Sequence, residues 1–494
     1  MTEDEFKLIT EAVGPLGAIV LLVGTALGMS IFLVPTQMAA EAGPSITIAI
    51  LISIVPMVFG VLQLLQLGGA IPVAGGAYVY GSRLVGPFWG FLNVLLPVVA
   101  VWAYLLFAAL GFAQYLPVFI EVLPIDVGVN TVLTVWAVLG AFLVINYVGI
   151  RITTKVQIAL VGVLIAGMVT FILGGAASFD AGNFDPLFPA GEGEPFEEGL
   201  TPFFLAIVLL YIPFQGFAMI IEIGEELENP VKNIPRVLAV GMAFVSVMSV
   251  AIVVALVGGA SWRGAVDPET GGPVEGGLAA VGAEFGTLPD LALVFIALAA
   301  LVAAVTTVNT LYTSYSRTIM RASRDELLPG YFAAIHDRFG TPHRSVILMG
   351  IPPIVAAPFV GIFDGLTAVE FLDWLVVLIV TGIFLSFMIS GVALWNLPRV
   401  FPQRYEHSFY RLPLPVLKFV AVGNVVISFV FMVLVAASAP SALVVMLSIV
   451  LVASLGYAYR VRVADRNGFD LEEKMSLLHK HEKVGGSDTA GDGD

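Results

Sequence analysis

Long apolar runs with uncharged interiors recur along this sequence, and they narrow its possible folds more than any other feature. Segments such as "LAVGMAFVSVMSVAIVVALVGGA" and "VLKFVAVGNVVISFVFMVLVAAS" each reach the roughly 20 residues that an α-helix needs to cross a bilayer. Of the 494 residues, 59% are hydrophobic and 12% charged. A soluble domain of this length needs more charge to cover its surface. The chain therefore reads as an all-α integral membrane protein. With no cysteine, disulfides and thiolate metal sites are excluded. The opening "MTEDEFKLITEAVG" is acidic and lacks the basic stretch of a secretory signal, so the first apolar run is expected to be a span.

Apolar blocks set against turn signals give roughly twelve spans. They are expected to begin near Gly14, Ser45, Gly86, Val127, Lys155, Gly199, Ile234, Leu288, Ser345, Leu366, Leu412 and Pro440. With the N-terminus inside, every one of the 22 Lys and Arg residues except Arg263 falls in an inner loop, an inner span end or a tail. That asymmetry predicts a cell-membrane protein with both termini cytoplasmic.

The expected organisation is a cytoplasmic segment 1–13, spans one to five over 14–177, and an acidic external loop 178–198. Spans six to ten follow over 199–397, spans eleven and twelve over 398–463, and an acidic, disordered cytoplasmic tail over 464–494. The net charge of −15 gathers in "FDAGNFDPLFPAGEGEPFEEG", "AVDPETGGPVEGG" and the tail. One reading is a solvated surface suited to high salt, which the scarcity of Lys resembles. The other is a funnel that focuses cations, although high salt would screen it.

Two spans are weak helices. The first, "GPLGAIVLLVGTALGMSIFLVPTQMAA", carries Gly24 and Gly28 near its middle. The sixth, "GLTPFFLAIVLLYIPFQGFAMIIEIGEE", carries Pro213 and Gly216 at the comparable place. Glycine in a helix interior costs about 1 kcal/mol and proline about 3, so both places favour unwinding. At membrane depth that is tolerable only around a water-lined cavity. Gly24 and Gly28 also fit a helix-packing motif, and a lone proline fits a kink. The pairing of spans one and six matters, because interrupted helices at corresponding places of two halves point to a midplane substrate site.

At these residues the chain resembles the amino acid–polyamine–organocation superfamily. "LGMSIFLVP" is similar to its "IGSGIF..P", and "IPVAGGAYVYGSRLVGPFWGFLN" to "P.AGG.Y.Y....GP..GF..G". "FQGFAMIIEIGEELENPVKNIPR" resembles "F.GFD.I....EE.KNP.K.IPR", and "SYSRTIMRASRDELLP" resembles "SRI..AMARDG.LP". The resemblance implies twelve transmembrane helices with a LeuT-like five-plus-five inverted repeat and discontinuous helices one and six. It also implies an amino acid permease. Two positions depart from the pattern: Ser30 replaces a glycine, and Gln66 stands where glutamate is common.

In that frame the N–H groups of Gly28, Met29 and Ser30, with Leu27, are expected to hold a substrate carboxylate. The carbonyls from Phe214 through Gln215 to Gly216 are expected to accept bonds from an amino group. Phe214 or Phe217 is a candidate aromatic gate, with Tyr104 a further candidate near the site.

Coupling has two candidate sets. Thr306 and Thr307 are expected to face the carbonyls of Gly24 and Leu27, an oxygen site for sodium, although membrane threonines also bond their own preceding turn. Glu222 is an intramembrane carboxylate, the proton-coupling candidate, unless it marks the interface with Glu225 and Glu226. Glu370 and Asp373 read as interfacial. His336, His343, His407, His479 and His481 all fall in inner loops or the tail, which speaks against a histidine relay. Lys155 sits only at the inner end of span five, with Leu164 near the place where some relatives carry a lysine.

An enzyme is not expected, because neither metal-ligand spacing nor a phosphate loop is present. No cofactor is expected beyond a sodium or proton as coupling ion. The expected partners are a small amino acid or amine and the lipid bilayer, not nucleic acid. Nothing in the sequence fixes the oligomeric state. The function read from all this is secondary active transport, with ion-independent exchange or a transporter-fold nutrient sensor as alternatives.

Overall fold

The computed structural model describes residues 13–73, 75–120, 129–191, 194–197, 199–224, 227–268, 272–361, 368–438, 440–466, 468 and 470–476. Among the described residues the chain is helical and holds no strand; isolated bridges pair Val13 with Leu227 and Val266 with Pro273.

The helices are α1 (Pro15–Ala26), α2 (Met29–Ala42), α3 (Ile46–Ala70), α4 (Gly76–Leu84), α5 (Pro87–Ile120) and α6 (Thr131–Val148). There follow α7 (Ile150–Ala177), α8 (Thr201–Leu209), α9 (Met219–Glu222), α10 (Pro230–Gly259), α11 (Gly277–Glu284) and α12 (Asp290–Arg324). The chain continues with α13 (His343–Ala356), α14 (Ala368–Val400), α15 (Pro402–Glu406), α16 (Leu414–Ser438), α17 (Pro440–Arg466) and α18 (Leu471–Ser476).

Among the described residues, ten helical stretches are long and apolar enough to cross a membrane. The difference from the roughly twelve expected has two sources. The first two expected spans run together as Pro15–Ala70, joined only by the 3-10 turn Gly43–Ser45. The expected ninth span is the 14-residue α13, with Pro352 and Pro353 inside it, followed by a 3-10 turn Ala357–Gly361. Val127 and Leu366, two expected span starts, lie outside the described residues.

Packing sorts the helices into centre and rim. Of the apolar stretch of α5, 89% is buried, against 11% for α17. A helix that is apolar all round and buried belongs to a bundle interior, whereas one that is apolar and bare is made for lipid. The long α5 and α12, 34 and 35 residues, pack against each other at the centre, and α12 also meets α1 and α7. On the other side α14 lies against α5 and α16, and α10 joins α3 to α7 and α1. The interrupted helices therefore sit within protein and away from lipid.

Candidate functional site

The break in the first span lies at Leu27 and Gly28. The last turn of α1 closes when Leu27 N donates to Val23 O at 2.9 Å. Gly28 then turns the chain with φ −54° and ψ −146°, outside helical geometry. A side chain at Gly28 would overlap the Thr307 hydroxyl, so only glycine lets the break approach α12. The Met29 N–H donates to Thr307 Oγ1 at 3.2 Å, while its side chain packs over Gly111 of α5. The N–H groups of Gly28 and Ser30 make no hydrogen bond among the described residues. Ser30 Oγ accepts from Tyr104 Oη at 3.3 Å, which brings Tyr104 to the site.

The sixth span breaks differently from the free unwinding expected of it. Ile212–Ala218 winds as a seven-residue 3-10 stretch between α8 and α9. Pro213 cannot donate to the preceding turn, and Phe214 N bonds Tyr211 O at 2.9 Å in the tighter pattern. Gly216 meets the backbone of Ala26 so closely that a Cβ would overlap Ala26 N. The two breaks are thus in backbone contact. The Gln215 side chain is buried, and among the described residues neither its amide oxygen nor its amide nitrogen has a partner. Buried amides are ordinarily bonded, so a polar ligand is what this group is equipped to meet.

Phe214 and Phe217 are both fully buried. Phe217 stacks on Phe387 of α14 with centroids 5.6 Å apart and presses against Gly60 of α3. In this conformation it seals the protein interior beside a small cavity of about 20 Å³, which is lined by Ala218, Ile221, Glu222, Tyr315 and Phe387 among others. That is roughly the room one water molecule needs. A larger cavity of about 310 Å³ lies on the other side, between α2, α5 and the start of α11, where Thr36, Gln37, Gln114 and Glu275 line it.

Thr306 and Thr307 lie against the first span. Thr306 Oγ1 donates to Gly24 O at 3.1 Å and to Ala303 O at 2.9 Å. Thr307 Oγ1 donates to Ala303 O at 3.0 Å and meets the backbone of Met29, not the carbonyl of Leu27. Both threonines bond their own preceding turn, and beyond it Thr306 reaches α1 while Thr307 meets the start of α2. The oxygens of Gly24, Thr306, Thr307 and Ala303 are hard donors of the type a sodium ion takes.

The residues of α7 that face this region are Gln157 and Val161, both close against Gly24. Leu164, marked from the sequence, lies further along the helix and is buried. Sequence reading missed Gln157. Its Nε2 donates to Thr310 Oγ1 at 3.1 Å, and its Oε1 accepts from Asn309 Nδ2 at 2.8 Å. Asn146 Nδ2 reaches Asn309 Oδ1 at 2.9 Å and Thr313 Oγ1 reaches Asn146 Oδ1 at 2.5 Å. The signal was present: single amides inside "LVINYVG", "KVQIAL" and "TTVNTL", each of which needs a partner away from lipid.

Glu222 is buried at the end of the sixth span. Its Oε1 accepts from Ala77 N at 3.3 Å and its Oε2 from Thr318 Oγ1 at 2.5 Å, while its carbonyl accepts from Gly75 N at 3.2 Å. No Lys or Arg pairs with it among the described residues. Glu225 and Glu226 lie outside those residues, as do the side chains of Glu370 and Asp373, the tail histidines His479 and His481, and the tail beyond Ser476. Gln66, the departure from the expected glutamate, accepts from Leu412 N at 2.8 Å and so ties α3 to the loop before α16.

A second buried cluster closes this end of the bundle. Asp325 Oδ2 is 2.7 Å from Arg83 Nη2 and accepts from Tyr78 Oη at 2.6 Å. Arg321 lies 3.8 Å from the other carboxylate oxygen. Burial first, and then the adjacent carboxylate, push the Tyr78 hydroxyl well above its ordinary range, which keeps it a donor.

The family model described as "Amino acid permease" matches residues 13–455. An uncharacterised transporter of Mycobacterium tuberculosis is 27% identical over 70% of this chain and 72% of its own. A branched-chain amino acid permease of Bacillus subtilis is 24% identical over 80% of this chain and 84% of its own. A methylthioribose transporter of the same organism is 24% identical over 85% and 88%.

Proposed function

The chain belongs to the amino acid permease family of the amino acid–polyamine–organocation superfamily, and on that footing we propose that it is a secondary active transporter. It moves an amino acid or related amine across the cell membrane by alternating access, through twelve passes in a five-plus-five inverted repeat with both termini cytoplasmic. The substrate binds where helices one and six break. The observation that carries this reading is the meeting of the two breaks, Gly216 against Ala26, beside unbonded N–H groups of Gly28 and Ser30. Those N–H groups open α2 and suit a carboxylate. Gln215 and the carbonyls from Phe214 to Gly216 suit an ammonium group. Phe217, on Phe387, closes the path toward Glu222.

Two coupling routes remain chemically distinct. A sodium ion would be held by Gly24, Thr306 and Thr307. A proton would be carried by Glu222, a buried carboxyl that no Lys or Arg pairs with among the described residues. A buried carboxylate with no cation beside it is costly as an anion, so taking up a proton is the inexpensive way to stay buried.

Uptake of a radiolabelled amino-acid mixture into proteoliposomes tests the function, with sodium and proton gradients imposed separately. Leucine, isoleucine and valine come first, after the named relatives. Saturable, gradient-driven uptake is expected. Uptake seen only with substrate preloaded inside would make the protein an exchanger. Absence of flux for every amino acid and amine, from folded protein, would overturn the assignment.

A further inference from the structure

The C-terminal helix α18 closes over the cluster of Arg83 and Asp325. Arg83 Nη1 donates to the Met475 carbonyl at 2.6 Å, so one guanidinium joins α4, the end of α12 and the tail. Leu471 and Met475 are fully buried, although they follow a helix, α17, that is mostly exposed. Polar contacts frame this apolar face. Tyr457 Oη donates to Glu472 Oε1 at 2.9 Å, and Lys474 Nζ meets Glu326 Oε1 at 2.5 Å. Arg460 donates to the Glu326 carbonyl at 3.2 Å. Glu326 itself holds a left-handed backbone, φ 62°, which a residue with a side chain rarely adopts without outside support.

We propose that α18 is a latch that holds α4 and the end of α12 in the closed arrangement of the inner gate. The chain of contact is direct. The tail grips Arg83 of α4, and the start of α4 carries Gly75 N and Ala77 N, the groups that seat Glu222. Releasing α18 removes a bond to Arg83 and the support of Glu326, so α4 has less to hold it against the sixth span. Docking and undocking of the tail thereby set how often the inner side opens, which gives the cell a handle on transport rate outside the substrate site. The inference rests on the alternating-access reading.

The chain has no cysteine, which makes a labelling test clean. Ser390→Cys places one thiol in the small cavity beside Glu222, and its reaction with a water-soluble maleimide in inverted vesicles reports inner opening. Deleting residues 467–494, or Leu471→Glu in the full chain, is expected to raise the labelling rate about three- to tenfold. Lys474→Glu is expected to raise it less, and adding Glu326→Lys to reverse that rise. The rate needs no substrate, so it stands apart from failure of the amino-acid assignment. If the deletion does not fold, Leu471→Glu decides. An unchanged rate in folded Leu471→Glu protein would overturn the latch.

Discussion

The Met29 backbone N–H donates to the Thr307 hydroxyl across 278 positions of sequence. This one bond fixes the start of α2 against the centre of α12, and it exists because Gly28 has no side chain to hold the two apart. The break in the first span is therefore built by three residues acting together, and each can be removed separately.

Gly28→Ala puts a methyl group where Thr307 Oγ1 lies. Gly216→Ala does the same against Ala26. Overpacking of this kind costs about 1–3 kcal/mol, and both variants are expected to fold and reach the membrane yet lose more than about tenfold in transport. Initial uptake rates, normalised to membrane protein, check this. Near-normal rates in both would show that the breaks are not at the substrate.

Thr307→Ala removes the acceptor of the Met29 N–H. An orphaned buried donor costs about 1–3 kcal/mol of stability, and because this bond holds the break beside the Gly28 and Ser30 N–H groups, its loss is expected to weaken half-saturation for substrate. Thr307→Ser keeps the hydroxyl and is expected to keep most of the affinity. Should the loss appear only when sodium is present, the threonine acts through an ion, not through the backbone.

Glu222→Gln preserves shape and keeps one acceptor oxygen for Ala77 N, while its amide donates to Thr318 Oγ1 where the carboxylate accepted, and it removes the proton site. If the carboxyl carries the coupling proton, proton-driven accumulation disappears, whereas exchange against preloaded substrate continues. Loss of both activities would assign Glu222 a structural role. Accumulation unaffected by the change would remove it from coupling altogether.

Arg83 and Asp325 form a buried pair at 2.7 Å with fully enclosed side chains. Taking away one partner of such a pair costs about 3–5 kcal/mol, while replacing both with apolar groups is often neutral. Asp325→Asn and Arg83→Met are each expected to lower the unfolding temperature in detergent. The double variant Arg83→Met with Asp325→Leu should lose less than the two single changes summed, although Tyr78 and Arg321 also touch Asp325 and temper the recovery.

Much of this was legible in sequence because it depends on local chemistry. Pro213 and Gly216 disrupt a helix wherever they stand, and Gly24 with Gly28 announce close packing, so both breaks could be marked before any contact was known. The apolar runs fixed the class of protein for the same reason, since lipid imposes one rule on every spanning segment. Sequence could not say that the sixth span tightens into 3-10 turns instead of opening, because that choice depends on Ala26 pressing against Gly216.

The partners were beyond the sequence altogether. Gln157, not Leu164, faces Gly24, because helix rotation is set by packing against α1 and α12 and not by position along an apolar run. Glu222 reads alone as either a functional acid or an interfacial charge, and only the fold shows that protein encloses it, bonded by Ala77 and Thr318. The tail reads as a disordered acidic appendage, yet Leu471 and Met475 are buried and the Met475 carbonyl accepts from Arg83. The sequence by itself determined what each segment must do in a bilayer, a matter of transfer free energy and backbone propensity. Tertiary structure alone decided which polar groups meet, since a hydrogen bond between distant residues depends on helix rotation and register that no single segment encodes.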